Sequence, residues 1–242
     1  MTSLGIFLAA KQRMNNYCFK ILLLTIFFNI SFIQADEVFW LKHLLKKDKN
    51  TKPEKLPKAE IYMKNSYIFC TGNSKAAKAN NNAANLMIIG EFEAASILLS
   101  RALKRYALFF PFRYNIGICY LHLHKLKVAL LHFTKASQIV PQYAKTYIQI
   151  GYIYERWLKD DTAISYYRKA LRMNKKELNT YVLIGDIQFK RKQLRLAEKY
   201  YRISLKYNHL FPNALLGLAK IHFIKKEYYK AMVLLKSIDT SG

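Results

Sequence analysis

Three histidines fall close together in one repeat-length stretch, at His122, His124 and His132, and could suggest a metal. A shared ion needs their imidazoles to converge on one point. His122 and His124 are two residues apart, which on a helix turns them to different faces, so the sequence implies no metal site. Cys70 and Cys119 are the thiols outside the N-terminal segment. In an exported protein such a pair can form a disulfide; against that, the mostly apolar, helical stretch around Cys119 suits a small packing residue. Asp160 and Asp161 make an acidic doublet, but acids at the start of a helix complement its positive end and need no catalytic role. No H-E-x-x-H, G-x-S-x-G or Walker-type loop occurs. The residues therefore point away from an enzyme and imply no cofactor.

The elements that carry these residues are helical by composition. Hydrophobic residues make up 52% of 242, with 8 Gly and 5 Pro, which fits an ordered and mostly helical chain. Lys and Arg number 40 against 15 Asp and Glu, a net charge of +25. Such an excess favours an anionic neighbour: nucleic acid, a membrane surface or an acidic protein. It is also explained by abundant Lys, Asn, Ile, Tyr and Phe, the mixture that A+T-rich coding produces.

The N-terminal stretch bears on the compartment. Residues 1–13 fit poorly with the signal-like segment after them and read as an extension ahead of a start at Met14. Residues 14–35 hold a short positive region ending at Lys20, an apolar run at 21–33 and the triplet Ile33-Gln34-Ala35 before Asp36. The run is short for a membrane span and suits a secretory signal peptide or N-terminal anchor. Either version places the body outside the cytoplasm, in the periplasm or on the periplasmic face of the inner membrane, and makes nucleic acid an unexpected partner. Without residues 1–35 the balance is 37 basic to 15 acidic residues, or +22. Residues 36–75 then contain an apolar stripe (Val38, Phe39, Leu41, Leu44, Leu45) and a Lys- and Pro-rich linker over 46–58. The stretch 59–73 is open between a short strand and a helix.

From residue 76 the sequence repeats. Ala95, Ala129, Ala163, Ala197 and Ala231 are each 34 residues apart, and Gly117, Gly151 and Gly185 keep that interval with Ala83 and Ala219 in register. Four residues after each alanine comes Leu99, Phe133, Tyr167, Tyr201 or Leu235. Seven after come Ala102, Ala136, Ala170, Ser204 and Ile238. Each unit holds two apolar-periodic stretches, such as 144–157 and 160–173. Small residues let the paired helices approach, and aromatic residues fill the space around the contact. Pro141 cannot continue a helix and marks a connection between units. A fixed period of this length is the mark of a solenoid.

This pattern resembles the tetratricopeptide repeat family, whose unit is a 34-residue helix–turn–helix. The resemblance implies an all-α superhelical solenoid of about five repeats, at 76–109, 110–143, 144–177, 178–211 and 212–242. It also implies a non-catalytic scaffold that binds a peptide or amphipathic helix of another protein in a groove lined by the first helices. The residues placed on that strip are Tyr114, Ile118, Leu121, His122, Ile148, Tyr152, Glu155, Arg156, Val182, Asp186, Phe189, Lys190, Leu216, Lys220 and Phe223. Several of them, Ile118 and Val182 above all, equally suit the core between repeats. Family co-chaperones hold a C-terminal carboxylate with Lys and Asn at set places. Here those places are Asn80, Ala84, Asn115, Lys145 and Gln149, of which only Asn115 and Lys145 match, so a chaperone-tail clamp is not expected. Exported members serve in envelope assembly, secretion, pili or flagellar structures. Alternatives to the scaffold are a structural subunit of a large periplasmic assembly, such as a flagellar collar or a secretion or pilus complex, and a basic protein bound to an anionic membrane surface.

Overall fold

The structure is a computed structural model that describes residues 60–239. The signal-like segment 14–35, the apolar stripe 38–45 and the linker 46–58 lie outside the described residues.

The stretch left open between strand and helix forms a hairpin. Strand β1 (Ile61–Lys64) pairs antiparallel with β2 (Tyr67–Cys70), with Ile61 opposite Cys70 and Lys64 opposite Tyr67. Asn65 and Ser66 join them at φ 50° and 69°, the left-handed pair of a two-residue turn whose twist matches the strands. Ten helices follow among the described residues: α1 (Lys75–Ile88), α2 (Phe92–Arg105), α3 (Phe110–His122), α4 (Leu126–Ile139), α5 (Ala144–Arg156), α6 (Asp160–Met173), α7 (Leu178–Lys190), α8 (Leu194–Tyr207), α9 (Pro212–Ile224) and α10 (Tyr228–Asp239). They pair as α1–α2, α3–α4, α5–α6, α7–α8 and α9–α10, and α2, α4, α6 and α8 each pack on the first helix of the next pair. This is the expected helical solenoid, with the β-hairpin as an addition to an otherwise all-α body.

The 34-residue period has a physical cause at the contact inside each pair. A methyl placed on Gly117 would stand 2.7 Å from the Phe133 ring, on Gly151 2.6 Å from Tyr167, and on Gly185 2.5 Å from Tyr201. Ring and bare backbone occupy each other's space, so no side chain larger than hydrogen fits without a shift. Ala129, Ala163 and Ala197 are fully buried one turn before those rings. Ala231 is buried in the last pair as well. Gly217 adds a contact absent from the repeat register: its missing methyl would stand 2.6 Å from Tyr201 of the preceding repeat. Tyr201 is thus clasped between glycines of two successive first helices.

The turn inside each repeat keeps the same interval. Gly90, His124, Leu158, Lys192 and Lys226 all have positive φ, between 56° and 90°. The next residue donates its N–H five residues back, as Lys159 does to the Tyr154 carbonyl at 2.9 Å and Gln193 to Gln188 at 2.9 Å. This closes the first helix in a Schellman turn, which favours glycine. Only the first repeat supplies it. Between repeats, Pro141 stands in the connection from α4 to α5, and Pro212 opens α9, a position where its missing N–H costs nothing.

Overpacking the contact between paired helices should be felt throughout the array. Gly151→Ala and Ala163→Leu are each expected to cost roughly 1–3 kcal/mol, lowering the melting midpoint by several degrees. Thermal melts of both variants that superimpose on wild type would show that the register is misplaced.

Candidate functional site

The first helices α1, α3, α5, α7 and α9 present one face in register, and its character changes along the array. In the second repeat it is closed. Tyr114 is 1% exposed and Ile118 4%, so neither serves as a partner contact. Tyr114 is enclosed edge-on by Phe133 and Tyr143 at 5.5 and 5.6 Å. Val182 is buried too, and Ile148 and Leu121 are half-buried against the core. His122 is exposed, its ring stacked on Phe92 at 4.0 Å and edge-on to Tyr67. Toward the later repeats the face opens. Tyr152 and Leu216 are each 41% exposed and Phe223 64%. Arg156, Lys190 and Lys220 are exposed among them, and Phe189 is half-buried against the last core cluster.

The two acids assigned to this face have internal work. Glu155 accepts from the Tyr167 hydroxyl at 2.9 Å and from Lys190 Nζ at 2.9 Å. Asp186 accepts from the Tyr201 hydroxyl at 2.7 Å. Each acid satisfies a phenol whose ring is fully buried against glycine, as a buried hydroxyl requires. Burial first, and then the acid, push both phenols well above the ordinary tyrosine range. In the second repeat Phe133 replaces the tyrosine, and Leu121 stands where Glu155 does. What faces outward on repeats three to five is therefore apolar and basic.

The closed end has an occupant. Strand β2 lies on α1 and α3, and its outer edge is bonded by asparagine side chains. Ile68 N donates to Asn115 Oδ1 at 3.0 Å, while the Ile68 carbonyl accepts from Asn80 Nδ2 at 2.7 Å and Asn115 Nδ2 at 2.8 Å. Asn81 forms both bonds with Cys70, accepting from its N–H and donating to its carbonyl at 2.8 Å each. Asn115 Nδ2 also reaches Asn80 Oδ1 at 3.0 Å, and Asn80 and Asn115 are fully buried. A carboxamide both donates and accepts, so it can stand in for a neighbouring strand. Asn80 and Asn115 occupy the places compared with a carboxylate clamp; here they bind the backbone of the chain's own hairpin. The run Asn80-Asn81-Asn82 at the start of the repeats was the sequence signal for this.

The thiols and histidines take structural roles. Cys70 and Cys119 are buried free cysteines, and burial pushes both up to about 12, which suppresses the nucleophilic thiolate. No cluster of three metal-capable side chains occurs among the described residues. His132 is buried, lies 5.8 Å from the Tyr120 ring, and has no hydrogen-bond partner at Nδ1. Burial, with Arg113 nearby, lowers its pKa to about 3.

That shift gives a pH dependence with a defined sign. Above about pH 6.5 the ring is neutral folded or unfolded. As pH falls from 6.5 toward 3, only the unfolded chain takes the proton, so stability is lost at about 1.4 kcal/mol per pH unit. His122, also shifted down by burial and by His124, adds to the same trend. The difference between wild type and His132→Leu in denaturant midpoints between pH 6.5 and 5 isolates the His132 part. Parallel pH profiles for the two would contradict it.

The tetratricopeptide repeat family profile matches residues 144–177, the unit made of α5 and α6. No curated protein matches the chain. Among solved structures, MamA is 15% identical with a TM-score of 0.57 over 69% of this chain and 94% of that one. The pilF protein of Pseudomonas aeruginosa is 16% identical with a TM-score of 0.62, over 69% and 76%. YrrB, described as a TPR protein with an unusual peptide-binding site, is 18% identical with a TM-score of 0.52, over 68% and 84%. These likenesses are of fold. Residues 144–177 are a tetratricopeptide repeat, and the chain around them is a helical solenoid of repeats of that type.

Proposed function

We propose that this chain is a non-catalytic scaffold of the cell envelope, taking an extended peptide or amphipathic helix of another protein along repeats three to five. One observation carries the reading. Tyr152, Leu216 and Phe223 stay exposed on the face whose earlier part is filled, with Arg156 and Lys220 exposed among them. Exposed aromatic and aliphatic residues bordered by bases suit a partner helix or strand with apolar anchors and acidic flanks. The peptide-binding description of YrrB supports a peptide ligand for this fold. Export rests on the signal-like composition of 14–35. A second reading, attachment to an anionic membrane surface, draws on the net charge of +25. No described helix is long and apolar enough to cross a bilayer.

Replacing both Tyr152 and Phe223 with Ala separates these readings. Aromatic anchors often cost ~2 kcal/mol or more when truncated, so crosslinked capture of the partner in native envelope fractions should fall at least tenfold. Helical content and melting point should stay near wild type, since both rings are exposed. Normal capture by the folded variant would refute the groove reading. Attachment to anionic vesicles that moderate salt abolishes and the double variant retains would favour the membrane surface.

A further inference from the structure

We infer that the free edge of β1 is a docking strand for an extended, acidic segment of a partner protein, which adds as a third strand to the hairpin. The site is separate from the strip between Tyr152 and Phe223. The hydrogen-bond pattern fixes which groups are available. Thr71 N donates to the Glu60 carbonyl at 2.8 Å, so Glu60 and Thr71 form a bonded pair. Antiparallel ladders alternate bonded and non-bonded pairs, so Tyr62–Phe69 and Lys64–Tyr67 are also bonded. Ile61 and Met63 then turn their N–H and carbonyl groups away from β2. Among the described residues these groups form no hydrogen bond.

The other edge of the hairpin shows the contrast. There the alternate residues Ile68 and Cys70 have their backbone groups taken by Asn115, Asn80 and Asn81. One edge is consumed and the hairpin is held at fixed register, so the remaining edge is a rigid template of the kind that extended peptides join. Neither a proline nor a bulge interrupts β1.

The space beside the edge fits a strand. A crevice of about 340 Å³ runs between Ile61, Tyr62 and Met63 on one side and Tyr143, Ala144 and Lys145 on the other. Met63 sits against Tyr143, whose hydroxyl reaches Met63 Sδ at 3.1 Å. Side chains of an added strand would alternate between this partly apolar floor and solvent. Charge selects the occupant. Lys145 lines the crevice, Lys64 comes next on β1, and Lys175 and Lys176 lie on the loop between the lining residues Asn174 and Glu177. The lining acid Glu177 accepts from Asn174 Nδ2 at 3.2 Å. From residue 60 onward the chain has 30 Lys and Arg against 11 Asp and Glu, a net +19. That charge opposes pairing of two copies edge to edge and favours an acidic strand.

The test pans a random twelve-residue peptide library on the full chain and measures the enriched peptides against Ile61→Pro. Proline there removes an N–H that the hairpin does not use, a substitution that edge strands tolerate. Enriched peptides should be acid-rich and should bind Ile61→Pro at least tenfold more weakly. Binding to Tyr152→Ala/Phe223→Ala should be unchanged. If Ile61→Pro melts early, methylating alternate backbone nitrogens of the peptide gives the same readout from the ligand side, with alternate positions sensitive. Peptides indifferent to both changes, the absence of any enriched peptide, or a dimer of the full chain that Ile61→Pro abolishes would each overturn the inference.

Discussion

A helix backbone bare of side chain lies against an aromatic ring at Gly117–Phe133, Gly151–Tyr167 and Gly185–Tyr201, and the solenoid is arranged around that contact. It fixes how near the two helices of a repeat come, and therefore where the next repeat can stack. The ring is buried, so a phenol placed there must find an acceptor. In two repeats the acceptor is an acid on the first helix, Glu155 or Asp186. Packing inside the repeat thereby consumes charge on the outer face, and the strip that remains is apolar and basic. The proposed binding strip is the surface that packing leaves over.

The same economy governs the N-terminal end. The faces of α1 and α3 carry asparagines where later first helices carry Ile148, Gln149, Val182 and Leu183. A buried carboxamide without partners is costly, and Asn80 and Asn115 are fully buried. The backbone of β2 supplies what they need, and they supply the hydrogen bonds that an edge strand in the core would otherwise lack. Each side satisfies polar groups of the other. This face holds the chain's own extended strand by its backbone groups, with side chains such as Tyr67 packing on His122.

The repeat was legible because its signal is a spacing, and five registered alanines with aromatics four residues on survive large changes in sequence. The helix limits at 144–156 and 160–173 match the apolar periodicity closely. The hairpin was not legible, for physical reasons. Its strands are four residues each, all of β2 is buried so no alternation shows, and its turn uses Asn-Ser where glycine would signal the left-handed pair. The left-handed turn position inside each repeat was hidden likewise, since His124, Leu158, Lys192 and Lys226 stand where glycine is favoured. Tyr114 and Ile118 were placed on the partner strip because period alone puts them beside Ile148 and Tyr152. Phe133 and Tyr143 enclose Tyr114, and β2 lies on the helix that carries both residues.

Asparagine side chains on the first helices hold an extended backbone as a sheet neighbour would, and on that claim the rest depends most directly. Residue-resolved hydrogen exchange of the native protein measures this without a mutation. The Ile68 and Cys70 amides, which donate to Asn115 and Asn81, should exchange as slowly as amides in the middle of α3, while Ile61 and Met63 exchange as open backbone. If Ile68 and Cys70 exchange as fast as Ile61 and Met63, the hairpin is not clamped to the repeats and the claim fails.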